Sequence, residues 1–360
     1  MLVPLRDYLR PEDPLALPLL FAARKHYFTR LSAELDPKAP VFRETGWIAS
    51  EDANVEHLLN VLMSIDTNSN EVWRARDGFL RHLYWHKRRQ TVLGPKIEEL
   101  PDDHPSKPRC LLKLAQLFQT IGNQREGKRL LEHSLRLERE RGNDRQVAFI
   151  LSNLSDGNRM LGLFKEGIGQ AREALEICER TGIVGQGDCL IRLALLLQDD
   201  KQLDAAEEAA FCAIKILPEK GQEWGVCKSH RVLGAIYHSK GVKEKAIHHY
   251  ETALATASSF GWRAQLFLIH HDLAQLFRDE DDFDKAHAYI EQARSYVADD
   301  PYLLGRGIRA QALLYYQPYR LEDSTSGTLR ALQVFEELGA REEAEACKHL
   351  LRRIEQAMKT

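Results

Sequence analysis

Apolar positions recur along this chain with the period of an amphipathic helix, most clearly over residues 230–253. In the first half of this stretch a very small residue, Gly234, shares a face with Tyr237, and in the second half Tyr250 lies among alanines in the same way. Gly241 follows the last apolar position of the first half, where a glycine commonly ends a helix. The pattern predicts a two-helix hairpin whose axes come as close as about 8–10 Å, because the residue at the crossing is small.

The same pattern returns at a nearly constant interval. The small residue of each first helix is Ala115, Ser155, Ala194, Gly234, Ala274 and Ala312, at separations of 40, 39, 40, 40 and 38 residues. Twelve positions later come Gly127, Gly167, Ala206, Ala246, Ala286 and Ser324, and seven positions after those come Ser134, Ala174, Ala213, Ala253, Ala293 and Ala331. Eighteen positions that hold only Gly, Ala or Ser predict an array of repeated hairpins.

These repeats resemble the tetratricopeptide repeat (TPR) family, whose W-x₂-L-G-x₂-Y…A-x₃-F pattern is matched by His230, Leu233, Gly234 and Tyr237 and then by Ala246 and Tyr250. The resemblance covers residues 106–340. The period of 40 exceeds the family's 34, and the Trp of the pattern is absent. The resemblance implies an all-α, right-handed α-solenoid of six TPR-like helix hairpins.

The segments on either side of the repeats are also expected to be helical. Residues 1–105 carry three helical patterns, over 15–35, 50–65 and 71–86, and we expect this segment to pack on the array. Residues 341–360 have one apolar and one charged face, which predicts a helix that caps the last repeat. The sixth repeat is the weakest, because residues 323–327 are poor helix formers.

A second resemblance joins the N-terminal segment to the repeats. The runs 47–59, 93–96 and 100–105, followed by TPR-like repeats, look like the C-terminal part of fungal STAND-type proteins, which are similar to NOD-like receptors. In that family the repeats form a sensor arm that controls oligomerisation of an NTPase switch. The resemblance implies such an arm without the NTPase domain and therefore no nucleotide chemistry.

Charge, cysteine content and hydropathy narrow the class of protein. The 50 basic and 53 acidic residues nearly balance, which argues against a general nucleic-acid or membrane-surface binder. No apolar run is long enough to span a bilayer, and the first residues lack a signal-peptide core, so we expect a cytoplasmic protein. The six cysteines show no metal or redox spacing and are expected to be reduced packing residues: Cys110, Cys178, Cys189, Cys212, Cys227 and Cys347.

Candidate chemical motifs do not assemble into a catalytic or metal site. Residues 122–128 match the G-x₄-G-K spacing of a phosphate-binding loop, but Arg129 stands where a Ser or Thr must follow, and the preceding segment is helical rather than a strand. The adjacent pairs 248–249 and 270–271 of histidines cannot chelate one metal ion together, since neighbouring helical residues point apart. The sequence predicts a non-enzymatic protein without cofactor or metal.

The remaining candidate is the face of the first helices that points away from the second helices. In TPR-like arrays this face lines a groove, and its basic C-terminal half predicts binding of an acidic or carboxylate-terminated peptide. Ordinary solvated charges are the alternative. The predicted groove residues are Arg109, Gln116, Asp156, Arg159, Gln198, Lys228, Arg231, His238, His271, Gln275, Arg278, Arg306 and Arg309.

The function predicted is that of a protein-interaction scaffold or sensor arm that holds a peptide or protein segment in this groove. The alternative is a regulatory or oligomerisation module of a STAND-type NTPase switch, acting in trans or within a longer chain, and it predicts self-association.

Overall fold

The computed structural model describes residues 23, 55–63, 72, 75–76, 79–80, 94–217, 223–297, 300–316 and 320–359. The helix predicted over 15–35 lies outside these residues except for Ala23, which is helical. Residues 55–63 are helical, and so are the described residues between 72 and 80. The described residues contain no strand. The chain divides into two compact units, residues 1–117 and 118–360.

In the first unit, a buried lysine holds the turn before the repeats. Helix α1 (Gly94–Glu98) is followed by helix α2 (Lys107–Thr120), whose second residue is the proline expected in a first turn. The Lys107 ammonium donates to the carbonyl oxygens of Glu98, at 3.2 Å, and Leu100, and to the Asp102 carboxylate at 2.7 Å. Carbonyls left over at the end of α1 are thereby satisfied by a cation.

The rest of the chain is a succession of helices that pack mainly on their neighbours in sequence. They are α3 (Gln124–Glu140), α4 (Asp144–Met160), α5 (Phe164–Thr181), α6 (Gln186–Asp199), α7 (Leu203–Ile216), α8 (Glu223–Ser239), α9 (Lys243–Ser259), α10 (Arg263–Asp279), α11 (Phe283–Ser295), α12 (Pro301–Leu314), α13 (Leu321–Leu338) and α14 (Arg341–Ala357). The molecule is therefore the all-α solenoid of TPR-like hairpins that the sequence predicts. None of the described helices is long and apolar enough to cross a bilayer.

Most helices end in the same turn, which returns every 20 residues. At Gly241 the backbone takes the left-handed conformation, and the following Val242 N–H bonds to the Tyr237 carbonyl at 2.9 Å. This is the Schellman arrangement, in which glycine is favoured because it lacks a Cβ. The left-handed positions are Gly122, Gly142, Gly162, Gly182, Lys201, Gly241, Gly261, Asp281 and Gly339. Lys201 and Asp281 show that the array imposes the turn even without glycine.

The helices cross at the small residues that the sequence singles out. All eighteen positions are buried. A Cβ placed on Gly234 would lie 2.6 Å from two ring carbons of Tyr250, and one on Gly167 would lie 3.1 Å from the Ser155 carbonyl oxygen. Because nothing larger than hydrogen fits at Gly234, the aromatic ring of α9 can lie directly on the backbone of α8.

The polar stretch of the sixth repeat is helical and internally bonded. The Ser324 hydroxyl donates to the Ala312 carbonyl at 2.8 Å, across the crossing of α12 and α13. Thr325 and Thr328 donate to carbonyls four residues back, at 2.8 and 2.7 Å. These bonds satisfy buried hydroxyls that otherwise disfavour a helix interior. Helix α14 then buries Ala344, Cys347, Leu350 and Ile354 on one face, as its sequence predicts.

Candidate functional site

The first helices of successive hairpins form one continuous wall. α4 contacts α6, α6 contacts α8, α8 contacts α10, and α10 contacts α12, whereas successive second helices approach each other less closely. An array whose first helices are closer together curves toward them, so the wall is the concave side. In the second to sixth repeats four positions lie on this wall, at −6, −3, +1 and +4 from the small residue of the first helix. We call these positions the inner face.

A cross-repeat contact recurs along the inner face. The residue at +4 in one repeat reaches the residue at +5 in the next. Arg159 pairs with Asp199 at 3.0 Å, Gln198 donates to the Ser239 hydroxyl at 3.1 Å, and His238 lies 3.2 Å from Asp279. Most of the predicted groove residues at this position are thus bonded to the neighbouring hairpin.

Other groove charges are also paired between hairpins. Arg231 donates to Asp272 at 2.7 Å, and both side chains are mostly buried, at 15% and 17% exposed. Arg192 donates to Asp156 at 2.6 Å, and Lys228 lies 3.8 Å from Asp188. Burial is the largest influence on Asp272 and opposes its ionisation, but the charge of Arg231 and the hydrogen bonds from His271 and Arg231 together keep the pKa of that carboxyl below its usual value. Such pairs fix the stacking of the hairpins as much as they offer groups to a ligand.

The predicted residues near the C-terminal end of the array lie close together between α10 and α12. His271, Gln275, Arg278, Arg306 and Arg309 line one pocket. His271 is buried, its Nδ1 lies 3.4 Å from the Gln275 amide nitrogen, and burial lowers the pKa of its imidazole despite the nearby Asp272. The two remaining predicted residues, Arg109 and Gln116, belong to the first unit. Arg109 is exposed, and Gln116 accepts a hydrogen bond from Lys113 at 3.1 Å.

Sequence reasoning missed two features of the inner face. It picked polar residues only, yet Leu195, Ala235 and Leu313 occupy the +1 position and are half-buried. It also did not find the acidic partners, such as Asp272 and Glu343. The apolar residues at +1 could have been found from the sequence, because they recur at a fixed position. The ion pairs could not, because they depend on the rotation between neighbouring hairpins, and the sequence of a single repeat does not determine that rotation.

The motifs set aside on sequence grounds have structural roles. Gly122 forms the turn between α2 and α3, and Lys128 lies in α3, where its ammonium pairs with Glu166 at 2.9 Å. His249 stacks on Tyr237 with ring centroids 5.4 Å apart. All six cysteines are free thiols, and Cys212 alone among them is exposed. Within the described ranges no three His, Cys, Asp or Glu side chains converge as metal ligands would.

Comparison with known proteins identifies the fold. No family model and no curated protein matches the chain. A Rap protein solved in complex with competence and sporulation factor is similar with 13% identity and a TM-score of 0.59, over 94% of this chain and 98% of that one. RapI, solved in its apo form, gives 12% identity and a TM-score of 0.56, over 77% and 98%. Aspartyl phosphate phosphatase F from Bacillus subtilis gives 14% and 0.50, over 97% and 95%.

These structures are TPR-like repeat proteins, so the likeness supports the TPR fold at low sequence identity. The further resemblance to fungal STAND-type proteins, and the self-association it implies, are not tested by these findings and stay predictions.

Proposed function

We propose that this protein is a non-enzymatic interaction scaffold whose inner face binds an extended segment of another polypeptide. The observation that carries the proposal is the inner face itself, in which half-buried apolar residues at +1 of the third, fourth and sixth repeats lie among polar and charged side chains, including Gln275 at +1 of the fifth. Apolar contacts flanked by oriented polar groups suit an extended peptide, because side chains supply the buried area and polar groups fix the register.

The cross-repeat pairs support this role. A partner does not need to order the side chains of Arg159, Arg231 or Lys228, since neighbouring hairpins already hold them. Preorganised contacts reduce the entropy lost on binding. The similarity to a Rap protein solved with a bound factor adds support from a related fold.

The charges of the wall suggest where an acidic segment would bind. Most inner-face cations lie next to a carboxylate of the same or a neighbouring hairpin, so they offer little net attraction to an acidic segment. The surplus positive charge lies between α10 and α12, where Arg306 has no ion-pair partner within the described residues. The predicted preference for an acidic or carboxylate-terminated segment therefore depends on this end of the array.

A display library of random peptides tests the proposal with a defined probe. Peptides selected against the immobilised protein should lose binding when the inner face is blocked by Ala235→Trp. The matched control is Ala255→Trp, which places the same bulk on an exposed position of α9, the second helix of the same hairpin. We expect at least tenfold weaker binding for the first variant and unchanged binding for the second.

Both variants must retain the wild-type helical circular-dichroism spectrum and melting temperature. Peptides that bind both variants equally well, or that are lost only with Ala255→Trp, would place the binding surface elsewhere and contradict the proposal.

A further inference from the structure

The pocket between α10 and α12 combines arginines with an apolar wall. It contains about 490 Å³ of space, part of it open to solvent, which lies in the lower half of the range of ligand pockets. Arg278, Arg306 and Arg309 line it together with Leu313 and Leu314. This volume accommodates one charged group and an attached apolar group rather than a long segment.

The pocket carries one unmatched positive charge. Arg309 pairs with Glu343, whose carboxylate also accepts the Tyr302 hydroxyl at 3.1 Å. Arg278 pairs with Asp279 at 2.9 Å. Arg306, half-buried, has neither an ion pair nor a hydrogen bond from its side chain within the described part of the chain. One cation therefore remains for a ligand.

His271 adds hydrogen-bonding capacity without adding charge. It is buried beside Asp272 and Gln275, and desolvation lowers the pKa of its imidazole, so the ring is neutral at pH 7. A dianion such as phosphate would meet only one uncompensated guanidinium here. A single carboxylate matches the charge and the planar geometry of that guanidinium.

We propose that this pocket binds one carboxylate attached to an apolar group, and that Arg306 is the residue that binds the carboxylate. The proposal deepens the proposed function, since the pocket would anchor one end or one acidic side chain of the bound segment. The apolar group then lies against Leu313, which belongs to the inner face, and against the neighbouring Leu314. Whether the carboxylate is a chain terminus or a side chain can be tested separately from whether a peptide binds to the inner face.

Small probes test the pocket without any knowledge of the natural partner. N-acetyl-leucine carries a terminal carboxylate, N-acetyl-leucinamide carries none, and acetyl-Leu-Glu-amide carries only a side-chain carboxylate. By isothermal calorimetry or ligand-detected NMR, we expect at least one of the two acids to bind on the order of millimolar. The leucinamide should bind at least tenfold more weakly, since a charge-assisted hydrogen bond is lost. The stronger acid identifies the source of the carboxylate.

Matched variants connect binding to one arginine. Arg306→Gln should weaken acid binding about tenfold or more, and Arg306→Lys should give an intermediate loss because it keeps the charge but not the bidentate geometry. The control is Arg330→Gln on α13, an exposed arginine that likewise has no ion-pair partner among the described residues. Melting temperatures of all three variants confirm folding. Equal binding of acid and amide, or acid binding unaffected by both Arg306 variants, would overturn the proposal.

The outcomes separate this proposal from the proposed function. Library peptides that need the inner face but tolerate Arg306→Gln and loss of their carboxylates would refute the carboxylate pocket and leave the scaffold standing. Acid binding that depends on Arg306, in a protein that selects no inner-face peptide, would support the pocket and refute the scaffold.

Discussion

At the scale of single residues, space decides which positions must stay small. Gly234 and Gly169 both lie inside helices, yet their surroundings differ. A Cβ on Gly234 would lie 2.6 Å from the ring of Tyr250, whereas a Cβ on Gly169 would meet nothing within 4 Å. The same chemical change therefore has opposite consequences at the two sites.

Gly234→Ala should destabilise the protein by about 1–3 kcal/mol, because the Tyr250 ring must move away from the crossing of α8 and α9. Gly169→Ala should instead stabilise it by about 0.5–1 kcal/mol, because alanine is the better helix former and has free space in α5. Urea unfolding followed by circular dichroism measures both free energies. A Gly234→Ala variant as stable as Gly169→Ala would contradict the register of the repeats.

At the scale of helices, charge pairs between hairpins differ by burial. Arg231 on α8 and Asp272 on α10 are mostly buried. Arg139 on α3 and Glu173 on α5 also join neighbouring hairpins, at 2.6 Å, but their side chains are 50% and 43% exposed. Removing one member of a buried ion pair is strongly destabilising, because the charge that remains is desolvated and unpaired.

Arg231→Asp alone should destabilise the protein by about 3 kcal/mol, since two carboxylates then face each other where water is scarce. The double variant Arg231→Asp with Asp272→Arg should recover at least half of that loss, because the pair is restored in reverse. The corresponding single and double charge reversals at Arg139 and Glu173 should each change the free energy of unfolding by less than about 1 kcal/mol. Chemical denaturation of the variants supplies the two coupling energies. If the double variant lost as much stability as the two single variants added together, the charges of Arg231 and Asp272 would act independently, which would contradict the prediction.

The same ion pairs are a feature that the sequence alone does not predict. The interval between small residues is enough to predict the hairpins, the crossing at Gly234 and the face of each first helix, because these depend on contacts within one repeat. Arg231 is predicted on that face from its own repeat, but its bond to Asp272 depends on the stacking angle of two hairpins. A charge reversal at Arg231 would therefore test stability and not binding alone. Arg306 also lies on this face, and only the structure shows that it has no ion pair among the described residues.

At the scale of the whole repeat unit, residues 118–360, the first turn meets the last helices. A Cβ on Gly122 would lie 3.2 Å from Cε2 of Tyr302 and 3.2 Å from Cβ of Ala340. The Arg125 backbone N–H donates to Glu342 Oε1 at 3.3 Å, across 217 positions of sequence. The two ends of this unit therefore contact each other.

Cysteine cross-linking can detect the junction in solution. In a Cys212→Ser background, which removes the exposed native thiol, Arg125→Cys with Glu342→Cys should react efficiently with a short bismaleimide. The product should migrate faster on a denaturing gel, because it closes a long loop of chain. The control pair, Arg125→Cys with Glu355→Cys, uses an exposed position of α14 thirteen residues further on, about 20 Å along the helix. It should cross-link poorly. Equal yields from the two pairs, or no product from the first, would mean that the two ends of the unit do not contact each other in solution.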